Sequence, residues 1–305
     1  MMAWLKRPMQ VNDNHVCLLG TKGGPAIRPG STNPTSNLLR LAGREIVVDC
    51  GLGVTRGLVD QGMQLKDISL IFITHLHSDH YLELGPLIHT AWTAGLNTPV
   101  TIYGPQGIER YWQQFVNSMS DDIELRIADE GRPDLFSLVI VKVLEEGEVL
   151  KDGAFQVKAI RNIHPPLVET FALSFAADDV RVVFSGDTAY MPALADFASG
   201  ANLLIHEAML EEALPALFAR IGNSDDRLRQ HWMRSHTFAH DAGRIATSAG
   251  VSALVLNHLI PSDDPDYQDS HWHAAIESTW TGKLHVGKDG MRIKLISYQA
   301  HGNSI

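Results

Sequence analysis

Short apolar runs recur along the chain, and each ends at a polar residue or a glycine. They are rich in β-branched and aromatic residues and too short for buried helices, so we predict strands. The predicted strands are residues 16–19, 36–41, 45–48, 68–73, 100–103, 155–160, 181–184 and 253–255. Between them, residues 81–93 and 107–115 carry apolar side chains at helical spacing. The alternation predicts an α/β (α+β) protein with helices layered over sheet, and we expect one domain over residues 1–305.

A cluster of polar residues follows the apolar run 68–73 directly, with the sequence Thr-His-Leu-His-Ser-Asp-His. In an extended exit from a strand, His75 and His77 point the same way, while Asp79 and His80 can turn toward a second point nearby. Neutral imidazole binds zinc and related divalent ions well, and a merely solvated loop rarely holds three histidines in six residues. The motif therefore predicts two metal ions held side by side.

Three later polar residues also come just after predicted strands. His164 follows residues 155–160, Asp187 follows residues 181–184, and His258 follows residues 253–255. Any one of them alone would fit a capped turn or a surface histidine. Together with the histidine motif they predict convergence at one edge of the sheets.

Composition indicates which binding partners and which cellular compartment to expect. The chain has 25 Lys and Arg against 35 Asp and Glu, a net charge of −10 that on average repels nucleic acid. Cys17 and Cys50 do not imply a disulfide framework, so a reducing compartment is permitted. The first ten residues lack the apolar run of a signal peptide, and no run reaches membrane-spanning length. We expect a cytoplasmic protein that does not enter a membrane, unless a targeting segment has been removed.

In order and local context, these seven polar residues resemble the ligand set of the metallo-β-lactamase superfamily. The resemblance implies a four-layer αββα sandwich with the site at one end, and a C-terminal hairpin around residues 286–291. It implies one ion held by His75, His77 and His164, a second held by Asp79, His80 and His258, and a bridging Asp187. The expected cofactor is Zn²⁺, one or two ions, with Mn²⁺ or Fe as alternatives. Zinc lowers the pKa of bound water to about 7, which makes a hydroxide nucleophile available.

Within the superfamily, the chain resembles the branch that contains tRNase Z and arylsulfatase-like hydrolases, and also the chlorothalonil-dehalogenase type. Residues 102–107, His206-Glu207-Ala208 and Ser235-His236-Thr237 carry this resemblance. It implies that His236 donates a proton to a leaving group and that Glu207 orients it. A structural, hydrogen-bonded pair is the alternative for these two residues. Asp79 can also accept a proton or orient the nucleophile, which would make it catalytic as well as a ligand.

Two departures from tRNase Z shape the expected function. His164 and Asp187 are 187 − 164 = 23 residues apart, too short for the long tRNA-gripping arm of the compact enzymes, and residues 209–234 form a long helical insertion. We expect this insertion to be a lid or a homodimer contact. The expected activity is hydrolysis of a small, aromatic ester, sulfate ester, phosphodiester or haloaromatic, with nucleic acid an unlikely partner. A tRNase Z-like phosphodiesterase acting on RNA and a noncatalytic metal-binding sensor or scaffold are the alternatives.

Overall fold

Two seven-stranded sheets pack face to face in the computed structural model, which describes residues 13–221 and 226–296. The N-terminal segment considered above therefore lies outside the described residues. In the first sheet the strands follow the order β14–β1–β2–β3–β4–β5–β6, with β3 to β6 parallel to one another and the others antiparallel. Their bounds are β1 His15–Gly20, β2 Ser36–Leu41, β3 Arg44–Cys50, β4 Leu70–Phe72, β5 Val100–Gly104, β6 Val139–Val143 and β14 Arg292–Lys294.

The second sheet has the order β13–β12–β11–β10–β9–β8–β7. Strands β10 to β13 are parallel, and β7 to β10 pair in antiparallel fashion. The bounds are β7 Gly147–Asp152, β8 Phe155–Arg161, β9 Phe171–Ala177, β10 Val180–Phe184, β11 Leu203–Met209, β12 Ala253–Ile260 and β13 Lys283–Val286.

Helices cover the outer face of each sheet, because parallel strands are apolar on both faces and both faces must be buried. Over the first sheet lie α1 Val54–Asp60, α3 Leu84–Thr93, α4 Ile108–Ser118 and α5 Ser120–Glu130, and over the second lie α6 Ala193–Phe197, α9 Ala239–Ala249 and α10 Asp269–Ile276. The remaining described helices, α2 Ser78–Tyr81, α7 Leu214–Ile221 and α8 Asp226–Ser235, lie near the candidate site. This is the predicted αββα arrangement.

Aromatic side chains pack against one another between the inner faces of the two sheets. Phe72 of β4 stacks on Tyr103 of β5, with ring centroids 4.7 Å apart, and meets Phe175 of β9 edge to face at 5.0 Å. Such pairs stabilise a fold by about 0.5–1.5 kcal/mol each beyond the area that they bury. Phe72 is the last residue of β4, so this packing fixes the strand end from which the histidine motif leaves.

Two predictions about local structure were wrong. The helix expected over residues 81–93 is divided into α2 and α3, and between them Glu83 accepts hydrogen bonds from the backbone N–H groups of Gly53 and Thr55. The expected C-terminal hairpin does not form, since β13 pairs with β12 in one sheet and β14 with β1 in the other. The glycine-containing segment between them crosses from sheet to sheet instead of turning back.

Candidate metal centre

The carboxyl ends of the parallel strands in both sheets meet at one edge of the sandwich. The histidine motif leaves β4 there, and Asp187 follows β10. His164 lies beyond β8, which runs antiparallel to its neighbour β9. All seven predicted ligand residues are brought together at this edge, in two overlapping groups of donor atoms.

Two β-bulges aim side chains into the edge. In β3, Asp49 is an extra residue that has no partner in β2, where Ser36 and Asn37 are adjacent. In β12, His258 is an extra residue that has no partner in β11, where Glu207 and Ala208 are adjacent. Their φ angles are +63° and +46°, a left-handed conformation that costs backbone energy and that occurs at functional sites as well as in turns. His258 therefore lies inside β12 and not, as expected, beyond its end. A bulge turns a side chain out of the regular alternation, which lets His258 reach the centre.

The first donor group consists of His75, His77, His164 and Asp187. His77 Nδ1 lies 3.2 Å from His75 Nε2 and 2.9 Å from His164 Nε2. Asp187 Oδ2 lies 3.6 Å from His75 Nε2 and 3.8 Å from His164 Nε2. The three imidazole nitrogens and the carboxylate oxygen thus surround one point.

The second donor group consists of Asp79, His80, His258 and the same Asp187. His258 Nε2 lies 3.0 Å from Asp187 Oδ2 and 3.3 Å from Asp79 Oδ2. His80 Nε2 lies 3.4 Å from Asp187 Oδ2 and 3.6 Å from Asp79 Oδ2. Asp187 Oδ2 belongs to both groups, so this carboxylate occupies the position of a bridge.

Hydrogen bonds from outside the two groups hold the donors in orientation. His80 Nδ1 donates to Asp49 Oδ2 at 2.8 Å, and Asp49 also accepts from the backbone N–H of Thr74. His164 Nδ1 donates to the Ser235 carbonyl at 2.7 Å. These bonds fix the Nε2 atoms of both rings toward the centre, as partners of metal-binding histidines generally do.

The glycine-rich loop after β1 also supports the centre. The backbone N–H of Gly24 donates to Asp79 Oδ2 at 2.8 Å. A Cβ atom at Gly23 would come within about 3.1 Å of the His258 ring, so a larger residue there would push against this donor. The loop is thus a tight turn beside the site.

Burial and charge give the two groups different proton affinities. Burial lowers the pKa of His75 well below its usual range and that of His164 to about 3, so both rings are neutral and ready to bind a cation. Burial would also lower the pKa of His258, but the Asp187 carboxylate and hydrogen bonds to Asp187 and Asp79 raise it to about 10. The pKa of His80 is raised against burial by Asp187 and Asp49. Without a cation, the imidazole rings of His80 and His258 in the second group carry protons.

The residues present fit a pair of divalent ions. Within each group the donor atoms lie within 4.8 Å of one another, and they are almost all buried. His80 Nε2 is buried and makes no hydrogen bond within the described residues, although it points at two carboxylates. Imidazole and carboxylate donors suit zinc, manganese and iron alike.

Glu207 and His236 form a buried pair beside the centre. His236 Nδ1 lies 2.9 Å from Glu207 Oε2, and Glu207 Oε1 accepts the Thr188 N–H at 2.6 Å. The His236 ring is stacked 5.4 Å from that of His258. Burial raises the pKa of Glu207 well above its usual value, with a further rise from Asp187, and burial lowers the pKa of His236 to about 4.

A cavity of about 320 Å³ opens above both donor groups. Its floor includes Asp79, Asp187 and His236, and one wall is the glycine-rich loop. Helices α7 and α8 of the predicted insertion form the other wall, with the apolar side chains of Leu217, Leu228 and Trp232. Residues 222–225 of this insertion lie outside the described residues. That the insertion serves as a lid or as a homodimer contact stays a prediction.

Two cavity residues were missed by the sequence reasoning. His231 of α8 places its ring 6.0 Å from that of His77 and 5.9 Å from that of His164, and Lys22 lines the opposite wall. His231 lies five residues before His236, a spacing that carries no recognised motif. Among the tryptophans, Trp232 lines the cavity, whereas Trp92 and Trp272 belong to the cores under the helices.

Comparison with known proteins identifies the family. The family model described as "Anti-Pycsar protein Apyc1" matches residues 15–258 of the chain. The chain belongs to this family. A ribonuclease Z of Mycobacterium sp. (strain KMS) is 31% identical over 284 residues, which cover 92% of this chain and 95% of the relative.

Solved structures agree on the fold. The metallo-β-lactamase fold protein YhfI of Bacillus subtilis has a TM-score of 0.67 at 19% identity, and the short form of human tRNase Z has a TM-score of 0.65 at 22% identity. Each likeness covers 92% of this chain and 99% of the other. Together with the ribonuclease Z relative and the family match, they confirm the predicted metallo-β-lactamase superfamily and its tRNase Z-like branch.

The relatives correct one prediction and bear on others. Because relatives named ribonuclease Z act on RNA, the expectation that nucleic acid is an unlikely partner was wrong. The net charge of −10 describes the whole surface and says little about the charge at the cavity. Relatives that are hydrolases support an enzyme over a noncatalytic scaffold. Within residues 13–221 and 226–296, no helix is long and apolar enough to cross a membrane.

Proposed function

We propose that the protein is a metal-dependent phosphodiesterase that hydrolyses RNA. The observation that carries this proposal is the shared position of Asp187 Oδ2, 3.0–3.8 Å from imidazole nitrogens of both donor groups, at the floor of an open cavity. Two cations held side by side suit in-line displacement at phosphorus, and the relatives named ribonuclease Z support RNA as the substrate class.

In this proposal His75, His77 and His164 would hold one zinc ion and Asp79, His80 and His258 would hold the other, with Asp187 available to both. A pair of divalent ions neutralises charge on the phosphodiester and lowers the pKa of water enough to supply a nucleophile at neutral pH. Asp79 accepts the Gly24 N–H through Oδ2, which holds its carboxylate in place at the cavity floor.

The Glu207–His236 pair supplies the proton for the leaving oxygen. Burial favours a protonated Glu207 and a neutral His236, so the ring carries its own proton on Nε2, the nitrogen that Glu207 does not contact. Nε2 releases this proton to the leaving alkoxide while Nδ1 takes the proton of Glu207. Glu207 ends as a carboxylate that is stabilised by the Thr188 N–H.

In this proposal α7 and α8 act as a lid that limits how RNA reaches the cavity. Residues 171–184 between His164 and Asp187 form the β9–β10 hairpin, which leaves no room there for a long arm. A cavity of about 320 Å³ takes an unpaired nucleotide and excludes a duplex. The apolar wall with Trp232 offers a surface on which a base can stack.

The test is cleavage of an unstructured oligoribonucleotide and of a precursor tRNA with a 3′ trailer, by zinc-loaded protein at low salt. We expect cleavage that a chelator abolishes and zinc restores. Asp187→Asn should abolish it, whereas Asp179→Asn, the same substitution at an exposed turn, should not. Zinc-loaded protein that cleaves neither RNA would refute the proposal.

A small aromatic substrate is the second candidate, because Leu217, Leu228 and Trp232 give the cavity an apolar wall. Turnover of an aryl ester, an aryl sulfate or a chlorinated aromatic nitrile, without cleavage of RNA, would favour it.

A further inference from the structure

Lys22 is a buried lysine on the cavity wall opposite α8. The residue is only 5% exposed, and its Nζ donates to the Gly23 carbonyl at 2.9 Å. Among the described residues no carboxylate forms an ion pair with this ammonium. The Gly23 carbonyl accepts one of its three N–H groups, which leaves the others for a ligand. Burying a charge without a counter-ion is costly, which makes an unneutralised lysine at a cavity a sign of ligand binding.

Other cations surround the same end of the cavity. Arg28 lines it and lies 3.4 Å from Asp263, and Arg220 of α7 lies 3.5 Å from Asp263 and 3.3 Å from Asp264. Lys22, Arg28 and Arg220 thus lie near the carboxylates of Asp263 and Asp264 at this end of the cavity, while Asp79 and Asp187 lie on its floor. Both arginines already pair with Asp263, so this carboxylate compensates the charge of Lys22 only in part.

The same cavity connects Lys22 with the metal donors. Its lining runs from Asp79, Asp187 and His258 on the floor to Lys22 and Arg28 on the wall. The charges of Asp263 and Asp79 both act on the Lys22 ammonium, which places it between the outer cations and the second donor group. An anion bound at Lys22 would lie next to a phosphodiester bound over the donor groups.

We propose that Lys22, supported by Arg28, forms a second phosphate subsite that binds the phosphate next to the scissile one in an RNA chain. This inference rests on the proposed RNA phosphodiesterase function and adds the requirement for two neighbouring phosphates. Charge-assisted hydrogen bonds from a buried ammonium contribute enough affinity to favour a doubly phosphorylated nucleotide by about 10- to 100-fold.

The experiment compares ligands that contain no phosphodiester and therefore need no turnover. Uridine 3′,5′-bisphosphate carries two phosphates on one nucleotide, and uridine 5′-monophosphate and 3′-monophosphate carry one each. Isothermal titration calorimetry with zinc-loaded protein measures their dissociation constants. We expect the bisphosphate to bind about 10- to 100-fold more tightly than either monophosphate.

In Lys22→Met this advantage should fall to less than threefold, and in Arg28→Met, at an exposed position that cannot disturb packing, it should fall partly. Lys158→Met removes an exposed lysine of β8 outside the cavity lining and should keep the full advantage. Zinc content and the melting temperature of each variant verify folding.

Equal binding of bisphosphate and monophosphates by the unmodified protein would overturn the subsite, as would an advantage that survives in both Lys22→Met and Arg28→Met. A structural role for Lys22 would instead weaken all three ligands by the same factor. Because cleavage of RNA is measured separately, failure of the proposed function and failure of the subsite are distinguishable.

Discussion

Replacing Asp187 by asparagine removes the carboxylate that the two donor groups share. Its Oδ2 lies 3.0 Å from His258 Nε2, and at an effective dielectric constant of 20 two unit charges at that separation interact by about 5 kcal/mol. This corresponds to about four pKa units. The pKa of His258 stands at about 10 against an ordinary 6.5, so the Asp187 carboxylate is large enough to account for the rise.

In metal-free Asp187→Asn we therefore expect the pKa of His258 to fall by about two to four units, because burial then opposes protonation and Asp79 alone favours it. Titration of the imidazole resonances by NMR measures this shift. The zinc content should fall from two ions to at most one, and RNA cleavage should fall at least about 10³-fold, or about 4 kcal/mol of transition-state stabilisation. Asp179→Asn is the control. Retention of two ions with an unchanged rate would refute the shared-carboxylate arrangement.

Three further predictions concern proton uptake, the leaving group and the core. Because the pKa values of His80 and His258 are raised, these rings keep their protons to higher pH than the histidines of the first group. As the pH falls from 8 to 6, the second donor group should therefore lose zinc first. Equilibrium dialysis with metal analysis measures this, and simultaneous loss of both ions would contradict it. His236→Ala should slow RNA cleavage about 10²- to 10³-fold but hydrolysis of bis(p-nitrophenyl) phosphate less than about 10-fold, since p-nitrophenolate leaves without a proton; equal losses would exclude proton donation. Phe72→Ala should lower the free energy of unfolding by about 3–5 kcal/mol in urea titrations, and a loss below about 1 kcal/mol would mean that the inter-sheet aromatic packing matters little.

Much of the fold and of the donor set could be predicted because both depend on patterns between residues that are close in sequence. Strand runs that end in polar residues place the histidine motif, His164 and Asp187 at one edge, and the structure has them there. The two strands of the β2–β3 hairpin could be predicted in the same way, since an apolar run lies on each side of Ala42-Gly43.

What could not be predicted depends on contacts distant in sequence. The bulges at Asp49 and His258 arise where each strand pairs with a partner that is one residue shorter, a mismatch visible only once the pairing is known. The two C-terminal strands join different sheets because their partners, β12 and β1, lie on opposite sides of the sandwich.

The wrong expectation about nucleic acid has a similar cause. Net charge averages over the whole surface, whereas Lys22 and Arg28 both line the cavity, and Arg220, from a separate segment of the chain, pairs with Asp263 beside them. Only the folded arrangement reveals that these cations lie beside the cavity.

The most direct measurement is the rate of oligoribonucleotide hydrolysis as a function of the zinc bound per chain, from metal-free protein to two ions. A metal-dependent phosphodiesterase predicts no cleavage by the metal-free protein and a rate that rises with zinc occupancy, is lost with chelator and returns on reloading. An equal rate without zinc, or no cleavage of RNA by protein that holds two ions, would contradict it.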